Sequence, residues 1–397
     1  MRRDPSSGCR TSFSRSTGKA ESPEPPALYV HIPFCVVKCG YCDFHSLRGV
    51  PGQEIDAVLN ATLEELEALD PRPRPRSIFL GGGTPTHLSE SQLARFLAEL
   101  RARVDCSSIE EFSAEANPES ASAAKLEILR DAGVKRLSLG IQSFDRERLR
   151  FLDRPHDGEQ ALRAYRRVRR LPDVQVSLDL IYALPGQTLE DWLVEMDRAI
   201  ELEPEHISCY QLTFEPGTPL HAALRRGSVQ EAPAELGREM LLRTRQRLGA
   251  AGYPAYEISN FARPGAECRH NLNYWRAGDY QGLGPGAASH LAGRRSTNCR
   301  PLGSYVRLVE ETGSASWAAE TLSPERRSGE AIWLGLRMSE GAELECIERR
   351  TGVAAGTRFA PTIERYCEQG VCELRGSRLL LTEAGVPYAD QVGSGFL

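Results

Sequence analysis

From Leu28 onward, short β-rich runs alternate with longer helical ones, and this alternation limits the possible folds more than any other feature of the 397 residues. The apolar runs predict strands over Leu28–Ile32, Ser77–Leu80, Glu111–Ala114, Arg136–Ile141, Val174–Ile181 and Ile207–Leu212. Between them, apolar residues recur at three- and four-residue spacing, as in Ile55, Val58, Leu59, Leu63 and Leu66. This pattern predicts helices over residues 54–69, 91–104, 121–131, 158–170 and 189–202. Six strands joined by helical crossovers imply a parallel sheet, either a barrel or an open doubly wound sheet. Polar or glycine-rich segments follow consecutive strands: Gly81-Gly82-Gly83-Thr84-Pro85, Glu115-Ala-Asn117-Pro118, Gln142-Ser143-Phe144 and Leu184-Pro185-Gly186-Gln187. Polar groups delivered by many successive strand ends favour a wall around one cavity, so the expected α/β fold is a partial, six-unit (β/α)6 barrel.

The alternation stops after Thr213, and a helix is expected over residues 235–251. Residues 254–291 are dense in glycine and aromatic side chains. Beyond Pro324, helical patterns precede apolar runs that bracket Arg375-Gly376-Ser377, which suggests a small winged-helix-like domain. The expected division is a disordered tail over 1–26, a barrel over 27–253, a connecting region over 254–323 and a C-terminal domain over 324–397. The tail is rich in Ser, Arg and Pro and has almost no large apolar residue, so it should not fold alone. A net charge of −5 gives no electrostatic reason to bind nucleic acid or an anionic membrane surface. No apolar run is long enough for a membrane span.

Cys35, Cys39 and Cys42 lie on one short loop after the first strand, close enough to converge on one centre. Thiolates hold iron–sulfur clusters, and a four-iron cluster tied by three cysteines leaves one iron with an open position. Zinc competes, since His31 and His45 flank the loop, but structural zinc sites are normally closed by four ligands. Eleven cysteines, an odd number, and no apolar signal segment imply a reducing, cytoplasmic compartment.

The cysteine spacing, followed by the Gly81–Pro85 run, resembles the radical S-adenosylmethionine superfamily. There the amino and carboxylate groups of S-adenosylmethionine chelate the open iron, and electron donation from the reduced cluster cleaves the sulfonium to a 5′-deoxyadenosyl radical. The segments Tyr29–Cys35, Glu115–Pro118, Gly140–Phe144 and Asp179–Gln187 resemble the coproporphyrinogen dehydrogenase-like branch. The resemblance implies a [4Fe-4S] cluster on Cys35, Cys39 and Cys42. It implies S-adenosylmethionine contacts from Tyr29, Tyr41, Gly82, Gly83, Thr84, Glu115, Gln142, Arg154 and Asp179. Taken singly, each has an ordinary alternative: Asp179 as a helix cap, Arg154 as a surface ion pair, Tyr29 as core.

Two departures subdivide the branch. Its porphyrinogen-oxidising members carry a further cysteine two residues beyond the third, where this chain has Phe44. The run His270-Asn271-Leu272-Asn273-Tyr274-Trp275 resembles the haem-binding motif of HemW-type haem chaperones. That likeness implies haem contact by His270, Asn271, Tyr274 and Trp275, with His270 as a possible iron ligand and the aromatics stacked on the macrocycle. The alternative is that His270 and Asn271 order a loop while the aromatics fill core. The expected function is therefore a haem chaperone with haem, haem-accepting proteins and a cluster-reducing electron donor as partners. The competing expectation is a tetrapyrrole-oxidising enzyme of the same branch.

Overall fold

The computed structural model describes residues 26–397, so the tail expected over residues 1–26 lies, apart from Pro26, outside the described residues. Six parallel strands form close to where the alternation placed them: β1 (Ala27–Ile32), β2 (Ser77–Gly82), β3 (Glu111–Ala116), β4 (Arg136–Gln142), β5 (Gln175–Tyr182) and β6 (His206–Gln211). The intervening helices are α1 (Gly52–Glu67), α2 (Glu90–Arg103), α3 (Ala123–Asp131), α4 (Arg146–Phe151), α5 (Gly158–Val168) and α6 (Leu189–Glu201). The face of α1 that carries Ile55, Val58, Leu59, Leu63 and Leu66 is buried, as its spacing requires. Reciprocal capping boxes at Ser89–Gln92, Asp157–Gln160 and Thr188–Asp191 start α2, α5 and α6 by satisfying backbone N–H groups that no helical turn can reach.

The strands lie side by side in chain order, β1 to β6. A doubly wound sheet reverses its order at a switch point, whereas every crossover here advances in one direction, so the sheet curls as the arc of a barrel. The arc stays open because β1 pairs outward with a later strand, β8 (Tyr280–Leu283), and β6 pairs outward with β7 (Asn260–Ala262).

Those later strands correct the expectation for residues 254–323. After α7 (Pro219–Arg225) and α8 (Ala234–Ala250) come β7 (Asn260–Ala262), α9 (Arg269–Trp275), β8 (Tyr280–Leu283), β9 (Ala288–Leu291), β10 (Arg294–Asn298), α10 (Leu302–Thr312) and β11 (Ser316–Thr321). All five strands join the barrel sheet, giving the order β11-β10-β9-β8-β1-β2-β3-β4-β5-β6-β7. The region is thus part of the sheet at both edges and not a connector. Strands of three to six residues carry too little pattern to declare themselves.

The C-terminal part comprises α11 (Pro324–Leu336), β12 (Ala342–Glu343), α12 (Leu344–Thr351), α13 (Ala355–Arg358), α14 (Ala360–Glu368), β13 (Cys372–Arg375), β14 (Arg378–Leu381) and α15 (Ala389–Ser394). It has its own core, including Ile332, Leu336, Leu344, Ile347, Phe359, Ile363, Leu379 and Phe396. It packs on the barrel through α11 against α9 and through residues 386–388 against α8. Among the described residues no helix is long and apolar enough to cross a membrane.

Candidate functional site

The barrel encloses a cavity of about 980 Å³. Its wall follows the two-residue period of strands: Arg136, Ser138, Gly140 and Gln142 from β4, Ser177, Asp179 and Ile181 from β5, and His206, Ser208 and Tyr210 from β6. The cysteine loop borders the same cavity beyond the C-terminal end of β1, and Cys35, Cys39 and Cys42 all line it.

The loop is held by backbone hydrogen bonds. Cys35 N–H donates to Leu47 O at 2.9 Å, Leu47 N–H to Pro33 O at 2.7 Å, and Cys42 N–H to Cys39 O at 3.2 Å. Thr84 Oγ1 reaches Cys35 Sγ at 3.5 Å. Burial pushes the Cys42 thiol up to about 11 and raises Cys35, so a metal must displace protons to bind here. His31, one of the groups that kept zinc open, donates from Nε2 to His45 O at 2.8 Å and accepts from the Tyr29 hydroxyl at Nδ1, 2.9 Å. Burial holds its ring down to about 4, so it is neutral and both nitrogens are engaged. Among the described residues no three His, Cys, Asp or Glu side chains converge on a single-ion site. A four-iron cluster makes no such demand, because each thiolate binds a different iron.

The glycine run forms the adjoining wall. A Cβ on Gly83 would stand 2.6 Å from Ile32 O and 2.7 Å from Phe34 N, and Gly82 adopts φ 98°, which favours glycine. Gly82 N–H donates to Glu115 Oε2 at 3.1 Å. Burial pushes the Glu115 carboxyl up to about 8, with the Asp179 charge adding to the rise and the Gly82 N–H opposing it. Asp179 lies within β5, where it caps no helix, and accepts from Ser138 Oγ at 2.8 and 3.0 Å and from Ser177 Oγ at 3.3 Å. Gln142 sits at a register break between β4 and β5 with φ 66°, an uncommon conformation for a non-glycine residue at a strand end.

Arg154 is no surface ion pair. Its Nη1 donates to Cys39 Sγ at 3.4 Å, and its Nη2 to Asn117 Oδ1 at 2.7 Å and Gly140 O at 2.9 Å. It ties the cysteine loop to the segment just after β3 and to β4, while its Nε is buried without a partner. Tyr29, Tyr41, Gly82, Gly83, Thr84, Glu115, Gln142, Arg154 and Asp179 all line the cavity.

The His270 motif forms α9, and its helical start is satisfied by Glu111. That carboxylate accepts from Arg269 N–H at 2.8 Å and His270 N–H at 3.2 Å. Both ring nitrogens of His270, the possible iron ligand, have protein partners. His270 Nδ1 is 2.9 Å from Ser77 Oγ, Nε2 is 2.9 Å from the Tyr274 hydroxyl, and burial holds the ring down to about 3. His270 orders the helix against β2 and packs 5.2 Å from the Phe79 ring, centre to centre. His270, Asn271 and Tyr274 line the cavity, but Trp275 does not; the Arg337 guanidinium covers its ring at 4.8 Å.

Reasoning from sequence missed Arg136, Ser138, Ser177 and His206. A polar residue at every second place in an otherwise apolar run, as in Ser177-Leu178-Asp179, was the available signal. It also missed residues 386–391, which line the cavity from the C-terminal part, and the placement of Phe44, 60% exposed, at the cavity beside the thiols.

Residues 29–199 match the Radical SAM superfamily and residues 322–388 the HemN C-terminal domain. The chain is 35% identical to the heme chaperone HemW of Bacillus subtilis over 94% of its own length and 99% of that protein. It is 42% identical to the heme chaperone HemW of Escherichia coli over 66% of this chain and 69% of that one. To the Mus musculus protein "radical S-adenosyl methionine domain-containing protein 1, mitochondrial" it is 40% identical, over 68% and 63% of the two chains. Among solved structures it resembles coproporphyrinogen III oxidase, HemN, of Escherichia coli, with a TM-score of 0.81 at 25% identity over 95% of this chain and 91% of that one. The fold accounts for the likeness to HemN, and the near end-to-end identity with the Bacillus protein narrows it further: the chain belongs to the HemW family of radical S-adenosylmethionine proteins.

Proposed function

We propose that this chain is a haem chaperone that carries a [4Fe-4S] cluster with S-adenosylmethionine and holds haem for transfer to haemoproteins such as those of respiratory chains. One observation carries the reading: a single cavity of about 980 Å³ has the three thiols at one end and α9 in its wall. Its volume falls at the upper end of the range for ligand sites. The fit to the cofactors rests on three thiols on one loop, a glycine cradle that a Cβ would fill, and the unpartnered buried Arg154 Nε. Cys35, Cys39 and Cys42 would hold the cluster. Tyr29, Tyr41, Gly82, Gly83, Thr84, Glu115, Gln142, Arg154 and Asp179 would hold S-adenosylmethionine. Together these groups supply one-electron reductive chemistry, for which an external electron donor is needed.

The chain's own residues have defined tasks in this reading. Glu115, neutral in the free protein near pH 7, releases its proton to meet a cationic amino group of the ligand. Arg154 holds the cysteine loop against the segment just after β3 and against β4. Phe44, standing where the porphyrinogen oxidases carry a fourth cysteine, leaves the entrance apolar. Haem, as cargo, would meet aromatic and aliphatic groups at Phe44, Tyr210, Leu241, Ile258 and Tyr388. His270, Asn271 and Tyr274 would contact it from α9, with Trp275 acting through Arg337. A reducing, cytoplasmic compartment suits a chain with free thiols.

The likeness to HemN favours a second reading, a radical enzyme that oxidises a tetrapyrrole. Anaerobic reconstitution followed by haem titration tests the first reading, with uptake of both cluster and haem expected. Oxidised porphyrinogen in an anaerobic assay with reductant and S-adenosylmethionine would favour the second. A protein that takes up neither cluster nor haem would refute both.

A further inference from the structure

Arg136 opens β4 at the opposite end of the strand from Gln142, roughly 20 Å away along the barrel. It is 3% exposed and lines the cavity. A guanidinium carries five N–H donors, yet Arg136 makes one hydrogen bond to the protein, from Nη1 to Ala266 O at 3.0 Å. Among the described residues no carboxylate lies within ion-pair distance of it.

The acids that face it act from farther away and are already engaged. Glu111 on β3 accepts from the Arg269 and His270 N–H groups and from Ser113 Oγ, and Asp179 on β5 accepts from Ser138 and Ser177. The other groups around it are neutral. Burial lowers His206 far below its ordinary range, raises the Tyr256 hydroxyl, and pushes the Cys268 thiol up to about 12. The ring nitrogens of His206 are taken by Ser177 Oγ and the Tyr256 hydroxyl. Glu111 and Asp179 favour the Arg136 charge from a distance, but its remaining donors have no protein acceptor at the cavity wall, where an anionic ligand group can take them.

We infer that Arg136 is the receptor for a carboxylate arm of the bound tetrapyrrole, so that the macrocycle enters the barrel with one propionate-type arm directed to the β4 N-terminal end of the cavity. The inference rests on haem being the cargo. S-adenosylmethionine is another source of a carboxylate, but its expected contacts gather around the thiols and the strand C-terminal ends.

The test compares iron protoporphyrin IX with its dimethyl ester on the reconstituted holoprotein, with and without S-adenosylmethionine. The diacid should bind about ten- to a hundred-fold tighter, with or without S-adenosylmethionine. In Arg136→Met that preference should vanish while affinity for the ester is kept. The apo variant should keep a cooperative melt, because an apolar chain of similar length replaces a guanidinium that makes one protein hydrogen bond. Arg136→Lys should keep part of the preference. Equal binding of diacid and ester by the wild type would overturn the inference without needing any variant. So would a variant that loses both ligands together with its thermal stability, or a preference abolished by S-adenosylmethionine. If the wild type bound neither porphyrin, the haem reading itself would fail, and the inference with it.

Discussion

Replacing Gly83 with alanine should damage the cysteine loop without touching a thiol. The added Cβ would stand 2.6 Å from Ile32 O, 2.7 Å from Phe34 N and 2.8 Å from Phe34 O. All three are backbone atoms of the segment that runs into Cys35, so no side chain can swing away to make room. The same segment is tied to the glycine run by Gly83 N–H to Ile32 O at 3.0 Å and Thr84 N–H to Phe34 O at 2.8 Å. Relief requires the two backbones to part by roughly half an ångström or more, which stretches both bonds; overpacking of this kind costs about 1–3 kcal/mol. For a chain of this size that is a fall in Tm of roughly 1–4 °C in the apo protein. The displaced Cys35 should lower the iron and sulfide retained per chain after anaerobic reconstitution. Calorimetry and metal analysis read the two effects. Gly52→Ala is the control: its Cβ meets nothing within 4 Å at the start of α1, so stability should hold or rise by about 0.5–1 kcal/mol. A Gly83→Ala protein with wild-type Tm and full iron content would refute the argument that the glycine is there for close backbone approach.

Four further outcomes follow from the site. Glu115, held at about 8 against an ordinary 4.5, lends stability that is complete in acid and is lost as pH rises between those values, so apo Glu115→Gln should match wild type at about pH 5 and exceed it near pH 9 in thermal melts. Wild-type binding of S-adenosylmethionine near pH 7 should release protons, read by calorimetry in buffers of different ionisation enthalpy; Glu115→Gln should show no such release. His270→Ala leaves Ser77 Oγ and the Tyr274 hydroxyl without partners in a buried site and should cost about 2–4 kcal/mol in urea unfolding. A loss of haem affinity with unchanged stability would instead favour direct ligation by His270. Cys39→Ser should abolish cluster retention yet leave the far-ultraviolet circular dichroism intact, because the barrel core around β1 to β6 does not depend on the loop.

Much of the site was legible because its chemistry is local. Three cysteines within eight residues, a run of three glycines and a polar segment after each strand are visible without folding the chain. The crossovers were legible because α1, α2, α5 and α6 each carry enough turns for an apolar stripe to repeat. The role of α9 was less so. The run reads as haem contact ahead of packing, and what His270 and Trp275 touch within the protein depends on Ser77 and Arg337, which lie 193 and 62 positions away in the chain.

By itself the sequence determined the parallel (β/α) arc, the loop that would hold a cluster and the strand ends around it, since strand period, helix period and cysteine spacing are all properties of neighbouring residues. Only the tertiary structure decided that residues 254–323 extend the same sheet and that Trp275 turns to Arg337. It alone put Arg136, Ser177 and His206 together along one cavity reached by the thiols. These features arise where strands distant in sequence pair and bring every second side chain to a common interior, and no local pattern records which strand will be the neighbour.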